Sequence, residues 1–99
     1  MVATEEKELL AQLQNPSSRR MAFDKLIRVY QQMLYYHVRR MVKDHDDADD
    51  VLQNTLLKAW KNLDKFRGDA ALKTWLYRIA TNEALTHLNK QKKKVHTDI

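Results

Sequence analysis

The carboxylates of Asp44-His45-Asp46-Asp47-Ala48-Asp49-Asp50 are the densest run of chemically capable groups in this chain. Clustered carboxylates suit hard cations, but a calcium loop would need Gly where Asp49 stands and a bidentate Glu further on, and neither is present. Carboxylates at a helix start satisfy orphan amides and the positive end of the dipole, so capping by Asp46 or Asp47, with Asp49 and Asp50 in the first turn, accounts for the run without a metal. His37, His45, His87 and His96 are scattered and make no His-x-x-x-His pair. Cys is absent, as are a Gly-rich phosphate loop and a Gly-x-Ser-x-Gly turn. The sequence therefore points to no catalytic residue, no metal, no cofactor and no enzyme.

Two polar faces are better candidates, and both are for binding. On a helix advancing 100° per residue, Asp50, Gln53, Asn54, Leu57 and Lys61 share one side. Leu57 in its middle is either a lone exposed leucine or an interface anchor with a polar rim. Further on, Thr74, Tyr77, Arg78, Thr81, Asn82, Leu85 and Asn89 share another side, preceded by Arg67 and Lys73 and followed by Lys90-Gln91-Lys92-Lys93-Lys94. Rings, amides and cations interleaved in this way supply what a single nucleic-acid strand needs: stacking surfaces, edge hydrogen bonds and phosphate neutralisation. An ordinary solvated helix face carries the same residue types.

Four helices must hold these faces. The first covers residues 5–13, with Thr4 as cap and Leu9, Leu10 and Leu13 as its stripe, and it ends at Asn15-Pro16-Ser17-Ser18. The second starts at Ser17 or Ser18 and runs to about residue 43. It buries Phe23, Leu26, Ile27, Tyr30, Met33, Leu34, Val38, Met41 and Val42 at three-and-four spacing. The third keeps that period through Ala48, Val51, Leu52, Thr55, Leu56, Ala59, Trp60 and Leu63. A linker, residues 64–69, holds the only Gly, and Asp69 caps a fourth helix with Leu72, Trp75, Leu76, Ile79 and Ala80 inside, drifting toward Ala84 and Leu88. Trp60 and Trp75, on the stripes of consecutive helices, are expected to be buried and near each other.

Composition sets the bounds. Ninety-nine residues with one Gly and one Pro make a single small all-α domain, a compact bundle of three to four helices. No apolar run could cross a bilayer and the first residues do not resemble a signal peptide, so no membrane insertion and a cytoplasmic location are expected. The net charge of +5 is uneven: residues 1–50 carry eight Lys/Arg against nine Asp/Glu, residues 51–99 ten against four. The basic half favours a polyanionic partner.

The stretch from Asp47 through Trp60, Asp-Ala-Asp-Asp-Val-Leu-Gln-Asn-Thr-Leu-Leu-Lys-Ala-Trp, resembles the polymerase-clamp-binding helix of extracytoplasmic-function (ECF) sigma factors. Phe66-Arg67-Gly68-Asp69, followed by Thr74-Trp75-Leu76-Tyr77-Arg78-Ile79-Ala80-Thr81-Asn82-Glu83-Ala84, is similar to that family's promoter-melting loop and recognition helix. Glu8-Leu9-Leu10, Ala22-Phe23 and Tyr30 sit where the family has its opening helices, so the likeness covers about residues 5–94. It implies a region 2 domain over residues 1–94, with 95–99 the start of an interdomain linker or tail. By the same resemblance Asp50, Gln53, Asn54 and Leu57, with Lys61 on the same face, would meet the coiled coil of the largest subunit of core RNA polymerase. Residues 66–73, including Arg67, Gly68 and Lys73, would capture a flipped base of the −10 element. Thr74, Tyr77, Arg78, Thr81, Asn82 and Thr86 would approach the melted non-template strand of promoter DNA, and Lys90 with the other terminal lysines its phosphates. An anti-sigma factor is a further implied partner. Two positions depart from the family: Asn54 replaces a usual Glu, removing a charge, and Glu83 lies on the core side where an apolar residue is usual. The family's −35-reading helix-turn-helix domain is not among these residues, so either one excised domain of a longer protein or a truncated form unable to recognise −35 DNA is expected. The rival reading is a helical protein–protein interaction module without specific DNA recognition.

Overall fold

The computed structural model describes residues 3–66, 68 and 70–97. They form α1 (Ala3–Gln14), α2 (Arg19–Arg39), α3 (His45–Lys61), a 3-10 turn (Leu63–Lys65) and α4 (Leu72–Thr97). The all-α bundle is therefore as expected, and α4 continues through the lysine-rich stretch and the expected tail as far as Thr97. The second helix is shorter than its apolar pattern: it stops at Arg39, and Met41 and Val42 pack from the turn that follows. The Arg39 guanidinium closes that turn by donating to the carbonyls of Val42 and Lys43, both at 3.1 Å.

The middle of the bundle is α2, which packs against each of the other three helices. Its buried face is Ala22, Phe23, Leu26, Tyr30, Leu34 and Val38. The last carbonyls of α1 are satisfied from the start of α2. Ser18 Oγ donates to the Gln12 carbonyl at 2.8 Å, and Arg19 Nε donates to the Leu13 carbonyl at 2.8 Å.

The acidic run acts as a cap, one step earlier than expected. Asp44, not Asp46 or Asp47, accepts from the Asp47 amide at 2.9 Å, and Asp46 and Asp47 occupy the first turn of α3 in place of Asp49 and Asp50. A capping carboxylate reaches the amide three residues on, so extended backbone at Asp44 places the helix start at His45. The carboxylate of Asp47 is then free to face α4. Its Oδ2 accepts from Gln91 Nε2 at 3.3 Å, and its Oδ1 lies 3.2 Å from His87 Nε2. That second contact lacks hydrogen-bond geometry, so His87 Nε2 is buried without a hydrogen-bond partner.

The two tryptophans do not meet as the stripes imply. Trp60 is 40% exposed, because it lies 100° beyond Ala59 at the edge of the α3 stripe, and its indole packs edge-on against Phe23 with centroids 5.1 Å apart. Trp75 is partly buried and stacks on Phe66 at 4.8 Å, with planes 6° apart. Glu83, on the core side of α4, is tolerated because Lys58 reaches it from α3 at 2.8 Å, with only 14% of the Glu83 side chain exposed.

The start of α4 is tied to α1. Its first helical bond runs from the Trp75 amide to the Ala71 carbonyl, so the capping position is held by a residue whose methyl cannot accept a hydrogen bond. Asp69, the expected cap, lies outside the described residues. Glu6 supplies the acceptor instead: its Oε1 takes the Leu72 amide at 2.7 Å, from 66 residues away in sequence. A carboxylate there also meets the positive end of the α4 dipole. Burial pushes the phenol of Tyr30 above its ordinary 10.0, and the negative Glu6 adds to the rise. The folded state thus holds this phenol neutral, a contribution present below the unfolded value and lost as pH climbs through the raised one. Glu6→Ala is expected to cost about 1–2 kcal/mol in denaturant unfolding. Glu6→Gln, which keeps an acceptor oxygen, recovers part of that. Full stability in Glu6→Ala would contradict the cap.

Candidate nucleic-acid interface

The helix that carries the expected strand-binding residues buries only a narrow stripe. Leu72, Leu76, Ala80 and Ala84, each four residues after the last, are all fully buried. The side chains opposite fall into two rows of the same spacing. Thr74, Arg78, Asn82, Thr86 and Lys90 are all exposed along a length of about 24 Å, at 1.5 Å per residue. Beside them run Lys73, Tyr77, Thr81 and Leu85, of which Tyr77 and Thr81 are half-buried. Thr74, Tyr77, Arg78, Thr81 and Asn82 line one groove of about 510 Å³.

The chemistry of the groove is mixed as a strand would need. Arg78 offers a planar fork of donors, Asn82 a donor and an acceptor, Tyr77 a ring with a hydroxyl. The Lys73 ammonium lies 5.6 Å from the Tyr77 centroid, near enough for a cation–π contact. Thr86 contributes less than its position implies, because its hydroxyl donates to the Asn82 carbonyl at 2.9 Å within the helix. One feature is hidden from the sequence. His37 stacks on Tyr77 from α2, with centroids 4.7 Å and planes 16° apart, and its Nε2 lies 2.8 Å from Thr81 Oγ1. A lone histidine on a half-buried helix gives no sign of such a neighbour until the packing is known. Leu85, 48% exposed, adds an apolar group to the face on which the sequence places it.

Gly68 stands apart from the groove, in the loop before α4. Its φ of +79° lies in the left-handed region, and an added Cβ would come 3.3 Å from Leu10 Cδ2, so glycine suits both the backbone and the close approach to α1. Arg67, expected beside it, lies outside the described residues.

The other expected face is on α3, where Asp50, Gln53, Asn54, Leu57 and Lys61 are all exposed. Leu57 is 58% exposed. Trp60, three residues on and also partly open, adds a second apolar group there that the helical pattern had assigned to the core. Among the described residues no group of three or more His, Asp or Glu could hold a metal, and no helix is long and apolar enough to cross a membrane.

The family described as Sigma-70 region 2 matches residues 26–94 of this sequence. This chain belongs to the sigma-70 region 2 family. It is 42% identical over 84 residues to the RNA polymerase sigma-H factor of Pseudomonas aeruginosa, covering 85% of this chain and 42% of that protein. It is 45% identical over 65 residues to the ECF RNA polymerase sigma factor SigG of Mycobacterium tuberculosis, covering 66% and 18%. With the ECF RNA polymerase sigma-E factor of Salmonella typhimurium it shares 46% over 67 residues, covering 68% and 35%. The chain thus spans less than half the length of these curated relatives. Among solved structures it is similar to an engineered region 2 of sigmaE in complex with GTAAAA. The TM-score is 0.81 at 33% identity, over 95% of this chain and 97% of that one. Within the sigma-70 region 2 domain, α4 is thus the helix with a fully buried stripe opposite an exposed row, and α3 the helix with the mixed apolar and polar face.

Proposed function

We propose that this chain is a transcription-initiation module that docks on core RNA polymerase through α3 and captures unstacked bases of the −10 non-template strand along α4. The observation that carries this reading is the groove of Thr74, Tyr77, Arg78, Thr81 and Asn82, which combines ring, amide, hydroxyl and guanidinium on one open face. It is supported by the similar chain whose partner is the hexamer GTAAAA. No bond of substrate is made or broken; the module works by capture. Extruding a base costs a few kcal/mol, offset by stacking and by edge and phosphate contacts in the groove. Lys90 and its neighbours neutralise phosphates without regard to sequence, whereas Asn82 and Arg78 touch base edges. Leu57, flanked by Trp60 and rimmed by Gln53, Asn54 and Lys61, anchors the clamp coiled coil of the polymerase's largest subunit. An anti-sigma factor would act by covering one or both faces, and the site of action is the cytoplasm, where polymerase and promoter meet.

Two experiments separate this reading from a helical interaction module with an idle basic face. In the first, the chain is titrated with labelled single-stranded GTAAAA and with a scrambled hexamer of the same composition. Lys90→Ala should weaken binding to both alike and lower the salt slope by about 0.7. Asn82→Ala should erode the preference for GTAAAA and leave the slope in place. Equal losses on both hexamers for both variants would contradict base reading. In the second, Leu57→Ala should weaken association with core polymerase by about 1–2 kcal/mol at an unchanged melting temperature. Undiminished association would remove Leu57 from the interface.

A further inference from the structure

One α2 side chain governs two groove residues at once. The His37 imidazole lies nearly parallel to the Tyr77 ring and covers one of its faces, while its Nε2 sits within hydrogen-bond distance of Thr81 Oγ1. Tyr77 and Thr81 are one turn apart on α4 and line the same groove. A base can therefore stack on at most one face of Tyr77, and the ring cannot turn without losing its partner. The hydroxyl of Thr81 is constrained in a second way. It has one hydrogen and two lone pairs. When Nε2 carries hydrogen, the imidazole donates to Thr81, whose own hydrogen points away for an acceptor on a base. When Nε2 is bare, Thr81 donates to it and offers only lone pairs outward. Whichever tautomer is present, His37 decides which atoms Thr81 offers a base.

We infer that His37 is a positioning residue for base selection: it touches no nucleotide, but fixes the Tyr77 ring and the hydrogen-bonding sense of Thr81. The inference rests on the strand-binding reading of α4. A histidine that merely filled space between α2 and α4 would affect stability and leave selectivity alone, which gives the test its contrast.

The test uses the whole chain with labelled GTAAAA and the scrambled hexamer. Substituting His37→Phe keeps the ring stack and removes the bond to Thr81; His37→Gln keeps a polar reach and removes the stack. Each should lower the preference for GTAAAA by about three- to tenfold, the size of one lost hydrogen bond or ring contact, with salt slope and helical content unchanged. In a Thr81→Val background, His37→Phe should add nothing further, because both changes remove the same bond. Should His37→Phe fail to fold, His37→Gln carries the comparison alone. Retained preference in the variants, or losses that add fully with Thr81→Val, would overturn the role of His37 while leaving the strand-binding reading intact. An unmodified chain that shows no preference between the hexamers would overturn both.

Discussion

The structure depends on how α4 is seated. Its fully buried contact with the bundle is one line of side chains, Leu72, Leu76, Ala80 and Ala84, with Trp75, Tyr77 and Ile79 packing partly buried beside it. Because the fully buried residues lie on that stripe, rotating α4 would expose leucine and bury Arg78 and Asn82 together. A guanidinium without a partner in the core costs far more than the packing could return. The same constraint that folds the domain thus fixes which residues the helix shows to solvent.

Other contacts lock the position along the helix. At the front, Glu6 takes the Leu72 amide, and Phe66 stacks on Trp75 just below the loop that holds Gly68. In the middle, Lys58 pairs with Glu83; at the rear, Asp47 meets Gln91 and His87. The exposed members of these pairs contribute little each, of order a few tenths of a kcal/mol to 1 kcal/mol. Their value is in direction: α1 and α3 are each registered against α4, which holds the exposed side of α3 around Leu57 and the exposed rows of α4 in one fixed relation.

Much of this was legible in the sequence because it follows from period and charge. The three-and-four spacing in α2 and α3 is strong, so their buried faces emerge directly, and so does the open face around Leu57. The likeness of two long stretches to ECF sigma factors pointed to two candidate faces, whose side chains the fold leaves exposed. What could not be read has a common cause: it depends on partners distant in the chain. Trp60 sits at the stripe's edge, where period alone cannot tell a buried indole from one lying across Phe23. The cap of α3 moved to Asp44 because any aspartate in that run could serve, and the turn closed by Arg39 decides between them. Glu6 is an unremarkable acid in its own helix and becomes a cap only when α1 crosses the start of α4. His37 gains its meaning only from α4.

If the exposed rows of α4 read a single strand while α3 serves another partner, the two faces respond separately to DNA. Amide shifts in the nitrogen-15-labelled chain, followed as GTAAAA is added, test it most directly. Movements are expected at Thr74, Tyr77, Arg78, Thr81, Asn82 and Thr86, with Gln53, Asn54, Leu57 and Lys61 unmoved. Movements centred on α3, or confined to the lysines beyond Lys90 and identical for a scrambled hexamer, would contradict it.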